Sequence, residues 1–269
     1  MALSSRTRIF AAIGAVIVIA AAASIGLIMF QPGTAPGDES IELTLLENAG
    51  VMIEAMGLRI YVDPYDLPDN QSDLPADAIL VTHPHGDHYD YSSIELIETD
   101  DTVFIFPENM TTEINRHDAI GVTPGDQVQV GDINITAFYM YTWSPPGYED
   151  IPAGHPEEAN WTSYIIDVDG FTIFHAGDSK NLPEYAQLTG AIDVAMLPLG
   201  PGCQTMAEVE VVDALDVINP DYFVPIHFQG DDNEDFCTVY QGLINQRTNC
   251  EILELAHFES YTFEIDGGT

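Results

Sequence analysis

Apolar positions along this chain fall into three regimes. Residues 9–30 carry no charge and are rich in Ala, Ile and Val; as a helix rising about 1.5 Å per residue they span roughly 33 Å, enough to cross a hydrocarbon core of about 30 Å. Residues 31–40 hold Pro32, Gly33, Pro36, Gly37, Asp38 and Glu39 and read as a linker, too polar to bury. From residue 41 to 269 the apolar runs become short and regular. Residues 41–46, 50–55 and 58–62, separated by Asn48, Gly50 and Gly57, predict a meander of strands that ends at Asp63 and Pro64. Residues 78–81 have no polar alternation and predict a strand buried on both faces. Residues 92–98 predict a short helix, 103–106 a strand and 111–116 another helix. Segments 128–130 and 133–139 flank Gly131 and Asp132, while 163–168 and 171–175 flank Asp169 and Gly170; both patterns predict hairpins. The last third alternates: strand 194–198, helix 206–218, strand 222–226, helix 236–245, strand 251–255. An antiparallel first half followed by strand and helix alternation implies an α/β chain with two sheets and helices on their outer faces.

Charge changes the picture at both ends of the scale. Arg6 and Arg8 precede the apolar run, which favours an N-terminus inside the cell and a domain outside it. Ala21, Ala22 and Ala23 leave open a cleaved signal peptide, which would make the protein secreted; a membrane anchor is the reading adopted. The net charge is −38, from 44 acids against 6 bases. Such a surface repels phosphate backbones and argues against a nucleic-acid partner. It also suits a protein kept soluble in high salt, so a halophilic source is expected. Cys203, Cys237 and Cys250 form no zinc-knuckle spacing. In an oxidising compartment a Cys203–Cys237 disulfide competes with three free thiols.

The chemistry centres on Thr82, His83, Pro84, His85, Gly86, Asp87 and His88, an HxHxDH pattern at the end of the strand 78–81. Imidazole nitrogens and carboxylate oxygens suit Zn(II), and also Mn(II) or Fe(II), and the strand fixes the first ligand while Pro84 and Gly86 bend the chain round. The motif offers too many ligands for one tetrahedral ion and too few for two, so more are expected downstream. Asp178 follows the turn His175, Ala176, Gly177; His227 ends the run 222–226; His155 lies in the Pro- and Gly-rich loop 147–160. His117 and His257 have no partner pattern and are expected at the surface. Asp90, Trp143 and Tyr148 could line a cleft.

These motifs, taken in order with IYVDP at 60–64, TPGD at 123–126, HAGDS at 175–179, DVAMLPLG at 193–200 and VPIH at 224–227, resemble the metallo-β-lactamase superfamily. The wording is similar to the branch of L-ascorbate 6-phosphate lactonase and UlaG-like hydrolases, and the likeness runs from residue 41 to the C-terminus. The resemblance implies an αββα four-layer sandwich with two divalent metals, Zn by preference, at the joined sheet edges. His83, His85 and a third histidine would take the first metal. Asp87, His88 and His227 would take the second, with Asp178 bridging. His155 fits the third position; His175 is its rival, but strand alternation turns it from the face of Asp178 and makes it a residue that orients ligands. Asp63 either supports a ligand or turns the chain before Pro64. Asn48, Ala49 and Gly50 stand where many relatives have a Gly-His pair, an apparent loss of a polar group near the site.

Two ions sharing a water would yield hydroxide near neutrality, with Asp87 orienting or deprotonating it. The expected activity is hydrolysis of an ester, lactone or phosphodiester bond in a small molecule or lipid. A phospholipid phosphodiesterase of the phospholipase D type and a non-catalytic metal-binding or sensor protein are the alternatives.

Overall fold

The computed structural model describes residues 40–145, 147–148 and 150–265. The expected anchor at 9–30 and linker at 31–40 therefore fall outside the described residues, apart from Ser40, which opens the first strand. Among the described residues no helix is long and apolar enough to cross a membrane.

The first sheet contains β1 (Ser40–Leu45), β2 (Val51–Ala55), β3 (Leu58–Val62), β4 (Ala78–Leu80), β5 (Val103–Pro107) and β6 (Ile120–Val122). The second contains β7 (Gln127–Val130), β8 (Ile133–Tyr139), β9 (Thr162–Val168), β10 (Phe171–His175), β11 (Val194–Pro198), β12 (Tyr222–Ile226) and β13 (Glu251–Ile252). The chain returns to the first sheet with β14 (Ser260–Glu264), which pairs antiparallel with β1. Strand orders are β14-β1-β2-β3-β4-β5-β6 and β13-β12-β11-β10-β9-β8-β7. The helices are α1 (Tyr91–Ile97), α2 (Thr111–His117), α3 (Glu208–Ile218) and α4 (Asp232–Arg247).

Alternation explains the layering. In β3 and β4, Ile60, Val62, Ala78 and Leu80 join the core between the sheets, with Ile133, Ile135, Tyr164 and Ile166 opposite. Their neighbours Tyr61, Ile79 and Val81 face outward and pack with Ile94 and Ile97 of α1 and Phe104 and Phe106 of β5. Both faces of these strands are covered, hence the unbroken apolar run. On the other side Val211, Val212, Leu215 and Ile218 of α3 join the large core. The layers run helix, sheet, sheet, helix.

The meander and both hairpins form where expected; Asp169 and Gly170 take φ 50° and 89°, the paired positive values of a tight two-residue turn. Several bounds differ. The helix expected at 206–218 starts at Glu208, after Ala207, whose N–H donates to Glu210 Oε2 at 2.8 Å. The helix expected at 236–245 extends over Asp232–Arg247, its first turn carrying Asp232, Glu234 and Asp235, which suit the helix dipole. The strand expected at 251–255 is only Glu251–Ile252, and β6 and β14 were not expected at all.

Candidate metal centre

Strand ends and two turns deliver the site. Leaving β4, the chain places Thr82 and His83, both buried. Asp63, at the end of the adjacent β3, is also buried and holds a left-handed φ of 48°. Its carboxylate accepts from Thr82 N–H at 2.7 Å and Thr82 Oγ1 at 2.6 Å, and lies 2.8 Å from His88 Nδ1. Thr82 Oγ1 is in turn 3.0 Å from His83 Nδ1. Since that hydroxyl gives its proton to Asp63, His83 Nδ1–H must donate to it, which leaves His83 Nε2 bare. The same logic at His88 puts the proton on Nδ1 facing Asp63 and turns Nε2 inward. Asp63 is thus a buried orienter of the motif loop rather than a simple turn residue.

Asp178 follows β10 and stands at the middle of the cluster. Its Oδ1 lies 3.2 Å from His88 Nε2, and its Oδ2 lies 3.4 Å from His155 Nε2 and 3.3 Å from His227 Nε2. Gly177 makes this approach possible: with φ 55°, a Cβ there would sit 2.7 Å from Met140 Sδ and 3.0 Å from Thr82 Cβ. His227 leaves β12 at φ 56°, its N–H bonded to the Asn48 carbonyl at 2.8 Å. Gly200 lies against it, where a Cβ would be 2.8 Å from His227 Nδ1. His155 arrives on the β8–β9 loop, tied to Thr142 by two hydrogen bonds, Thr142 N–H to the His155 carbonyl at 2.7 Å and His155 N–H to Thr142 Oγ1 at 3.1 Å.

Three groups have ligand atoms within 4.8 Å of one another: His83, His85 and His155; His83, His88 and Asp178; Asp87, His88 and His227. All seven expected ligands are therefore together. His175 is not in these groups; it is buried, with Nε2 2.7 Å from the Ala49 carbonyl. The residues fit a metal by a direct test. His88 Nε2, both nitrogens of His155, Asp178 Oδ1 and His227 Nε2 are buried without a hydrogen-bond partner. Orphaned polar atoms at this density are costly unless a cation joins them.

The electrostatics point the same way. Burial, with His88 nearby, holds His83 well below the usual imidazole range, and burial with His155 lowers His85. Burial opposes charge on Asp178, but His88, His155 and His227 outweigh it and keep the carboxylate ionised. Burial likewise opposes charge on His227, yet the carboxylates of Asp178 and Asp87 beside it lift it to about 9. At His88, too, burial is outweighed by Asp178 and Asp63, and its pKa is raised. Without a cation, protons do part of a cation's work.

Other expectations are revised. The His117 side chain is not at the surface: its ring packs at tilted and edge-on angles among Phe104, Phe106 and Tyr91, and it lies 3.0 Å from Tyr89 Oη and 3.2 Å from Glu98 Oε2. His257 is half-buried, stacked on Phe228 and paired with Glu47 at 3.1 Å. Asp90 caps α1, accepting from Ser92 N–H at 3.0 Å and Ser93 Oγ at 2.7 Å. All three cysteines are free, Cys203 exposed and the other two buried, so no Cys203–Cys237 disulfide forms. Nor is a polar group lost at Asn48, whose amide reaches the Asp87 carbonyl at 3.1 Å and its carboxylate at 3.4 Å. Trp161 was missed altogether: its ring lies 5.3 Å from those of His83 and His85 and 5.7 Å from that of His155. Its one sequence signal is its place six residues beyond His155.

Comparison with known proteins agrees with this geometry. Residues 42–227 match the profile of the β-lactamase superfamily domain. A UPF0173 metal-dependent hydrolase of Archaeoglobus fulgidus is 27% identical over 243 residues, covering 83% of this chain and 99% of its own length. Another from Pyrococcus furiosus is 30% identical over 202 residues, 70% of this chain and 84% of its own. Among solved structures, the metallo hydrolase Igni18 of Ignicoccus hospitalis superposes with a TM-score of 0.68 at 22% identity, over 84% of this chain and all of that one (100%), a likeness of fold.

Proposed function

Given that the chain belongs to the β-lactamase superfamily and is a metal-dependent hydrolase of the metallo-β-lactamase fold, we propose that it is a two-metal enzyme of the UlaG-like kind. Its substrate would carry an ester, lactone or phosphodiester bond. One observation carries the reading: a single buried carboxylate, Asp178, meets three inward imidazole Nε2 atoms at 3.2–3.4 Å, and none of those three nitrogens has a hydrogen-bond partner. His83, His85 and His155 would hold one ion and Asp87, His88 and His227 the other, with Asp178 between them. The mixed nitrogen and oxygen donors suit Zn(II) first, then Mn(II) or Fe(II). When bound, such a pair supplies Lewis-acid polarisation and water activation at neutral pH.

The chain's own residues do the rest. Thr82 and Asp63 hold the His83 and His88 rings with Nε2 inward. Asp87, whose side chain is 42% exposed, is the carboxylate open to an incoming substrate. The neighbouring His227 keeps its pKa low, so near neutrality it is ionised and would orient the nucleophile by accepting a hydrogen bond at Oδ2.

A lipid substrate is the second reading, as in phospholipase D relatives. It is favoured by Trp143, Tyr148 and Ile151, which are 40%, 65% and 45% exposed on the β8–β9 loop that carries His155. A membrane anchor at 9–30, with the domain outside the cell, would tether that domain to a bilayer. The test is a metal count on the full chain in detergent and high salt, with hydrolysis of lactone and phosphodiester substrates alongside. About two metals per chain, and turnover that His227→Ala and Asp178→Ala abolish, are expected. Metal bound without turnover on either class would favour the sensor reading.

A further inference from the structure

The turn between β1 and β2 reaches three separate parts of the site. It is closed by Leu46 N–H to the Gly50 carbonyl at 2.8 Å and by Gly50 N–H to the Glu47 carbonyl at 2.9 Å. Within it Asn48 takes φ 57°. From this turn the Asn48 carbonyl accepts from His227 N–H at 2.8 Å, and the Ala49 carbonyl lies 2.7 Å from His175 Nε2. The Asn48 side chain points the other way, to Asp87. Its two neighbours there, the Asp87 carbonyl at 3.1 Å and Oδ2 at 3.4 Å, are both acceptors, so only the NH2 end of the amide can face them.

Asp87 needs such a tether. It sits in a loop shaped by Pro84 and Gly86, and Oδ2 stands 3.8 Å from His227 Nε2 and 3.9 Å from His88 Nε2, beyond hydrogen-bond length. We propose that Asn48 is the positioning residue for Asp87, its amide holding the carboxylate toward His88 and His227 while its carbonyl fixes His227. One residue of the first sheet thereby sets the separation of two ligands that come from opposite halves of the molecule. The inference rests on the two-ion reading above, since it assigns Asn48 to one ion's ligand group and leaves His83, His85 and His155 untouched.

The test is Asn48→Gly in the full chain. Glycine accepts a φ of 57° and keeps both turn carbonyls, so only the amide is removed. Co(II) binding to metal-free protein would be followed by calorimetry and by the visible absorption of the bound ion. Wild type should bind in two steps. Asn48→Gly should weaken one step about ten-fold, the usual scale for a residue that orients a ligand, with the other step and the metal-free Tm unchanged. In an Asp87→Ala background the same substitution should add no further loss. Two unchanged steps, loss in both steps with a lower metal-free Tm, or an equal additional loss in the Asp87→Ala background would each overturn the assignment. A single step in wild type would instead refute the two-ion reading, and this inference with it.

Discussion

Asn48, Asp63 and His227 all hold left-handed backbone conformations, at φ 57°, 48° and 56°, and all three border the metal cluster. For residues other than glycine such conformations cost on the order of 1 kcal/mol each and persist where surrounding bonds over-determine them. At Asp63 those bonds are the contacts of its carboxylate with Thr82 and His88. Asp63→Ala should therefore destabilise the protein by about 3 kcal/mol in urea denaturation, because it leaves buried donors without an acceptor; a loss below about 1 kcal/mol would contradict the role drawn for it. The histidines make a second prediction, about pH. His227 titrates near 9 in the folded, metal-free protein against about 6.5 when unfolded. Its raised value contributes stability that is complete below about pH 6.5 and is lost as pH rises through about 9. Metal binding runs the opposite way, since it needs the imidazoles neutral and so releases protons. Thermal melts of chelated and metal-loaded protein at pH 6.5 and 9 should show the chelated form losing Tm and the gap between the two widening. A gap that narrows would mean that these histidines do not ligate.

At the scale of elements, the two sheets meet beside the site through β9. Tyr164 is fully buried, and its hydroxyl donates to the Val81 carbonyl at 2.8 Å, with the Ile105 carbonyl at 3.1 Å. Thr162 N–H joins the Thr82 carbonyl at 3.1 Å. Tyr164→Phe keeps the ring and takes the hydroxyl donor from the Val81 carbonyl, while the Ile105 carbonyl still accepts from Val81 N–H at 3.2 Å, so it should cost about 1–2 kcal/mol of unfolding free energy. If the hydrogen bonds also hold the β4 end in place, metal affinity falls with it; an unchanged urea midpoint would assign the tyrosine to packing alone. Such contacts mark the limit of what the sequence makes legible. The HxHxDH loop could be read because its donors lie within six positions, and the strand before it because alternation fails where both faces are covered. Asn48 could not, since its partner is 39 residues away and a turn asparagine looks like any other. The burial of His117 was equally hidden, being made by Phe104 and Phe106 on a neighbouring strand rather than by its own helix. β14 is five residues of mixed pattern whose partner, β1, lies at the far end of the domain.

On the scale of the whole molecule, charge is the dominant unbalanced quantity. Against a net −38, the bases among the described residues are already engaged: Arg59 with Glu54, Lys180 with Glu210, Arg247 with Asp213 and Asp216, and Arg116 with Tyr89 and the face of Tyr91. Among the described residues no reserve of cations offsets the remaining acids, so their mutual repulsion falls on the folded state, where they are closest together. Screening shortens from about 10 Å at 0.1 M salt to about 3 Å at 1 M. The Tm should accordingly rise as KCl increases over that range, and most of the rise should come before 1 M, where the screening length drops below the spacing of surface charges. KCl is the salt to use, because sulfate would also strengthen apolar burial and confuse the two causes. A flat or falling Tm in KCl would mean that the acids are spread widely enough not to repel. The expectation of a high-salt habitat would then lose its physical basis, while the buried centre of the metal site, His83, His88, His155 and Asp178, is screened little by salt and would stand unaffected.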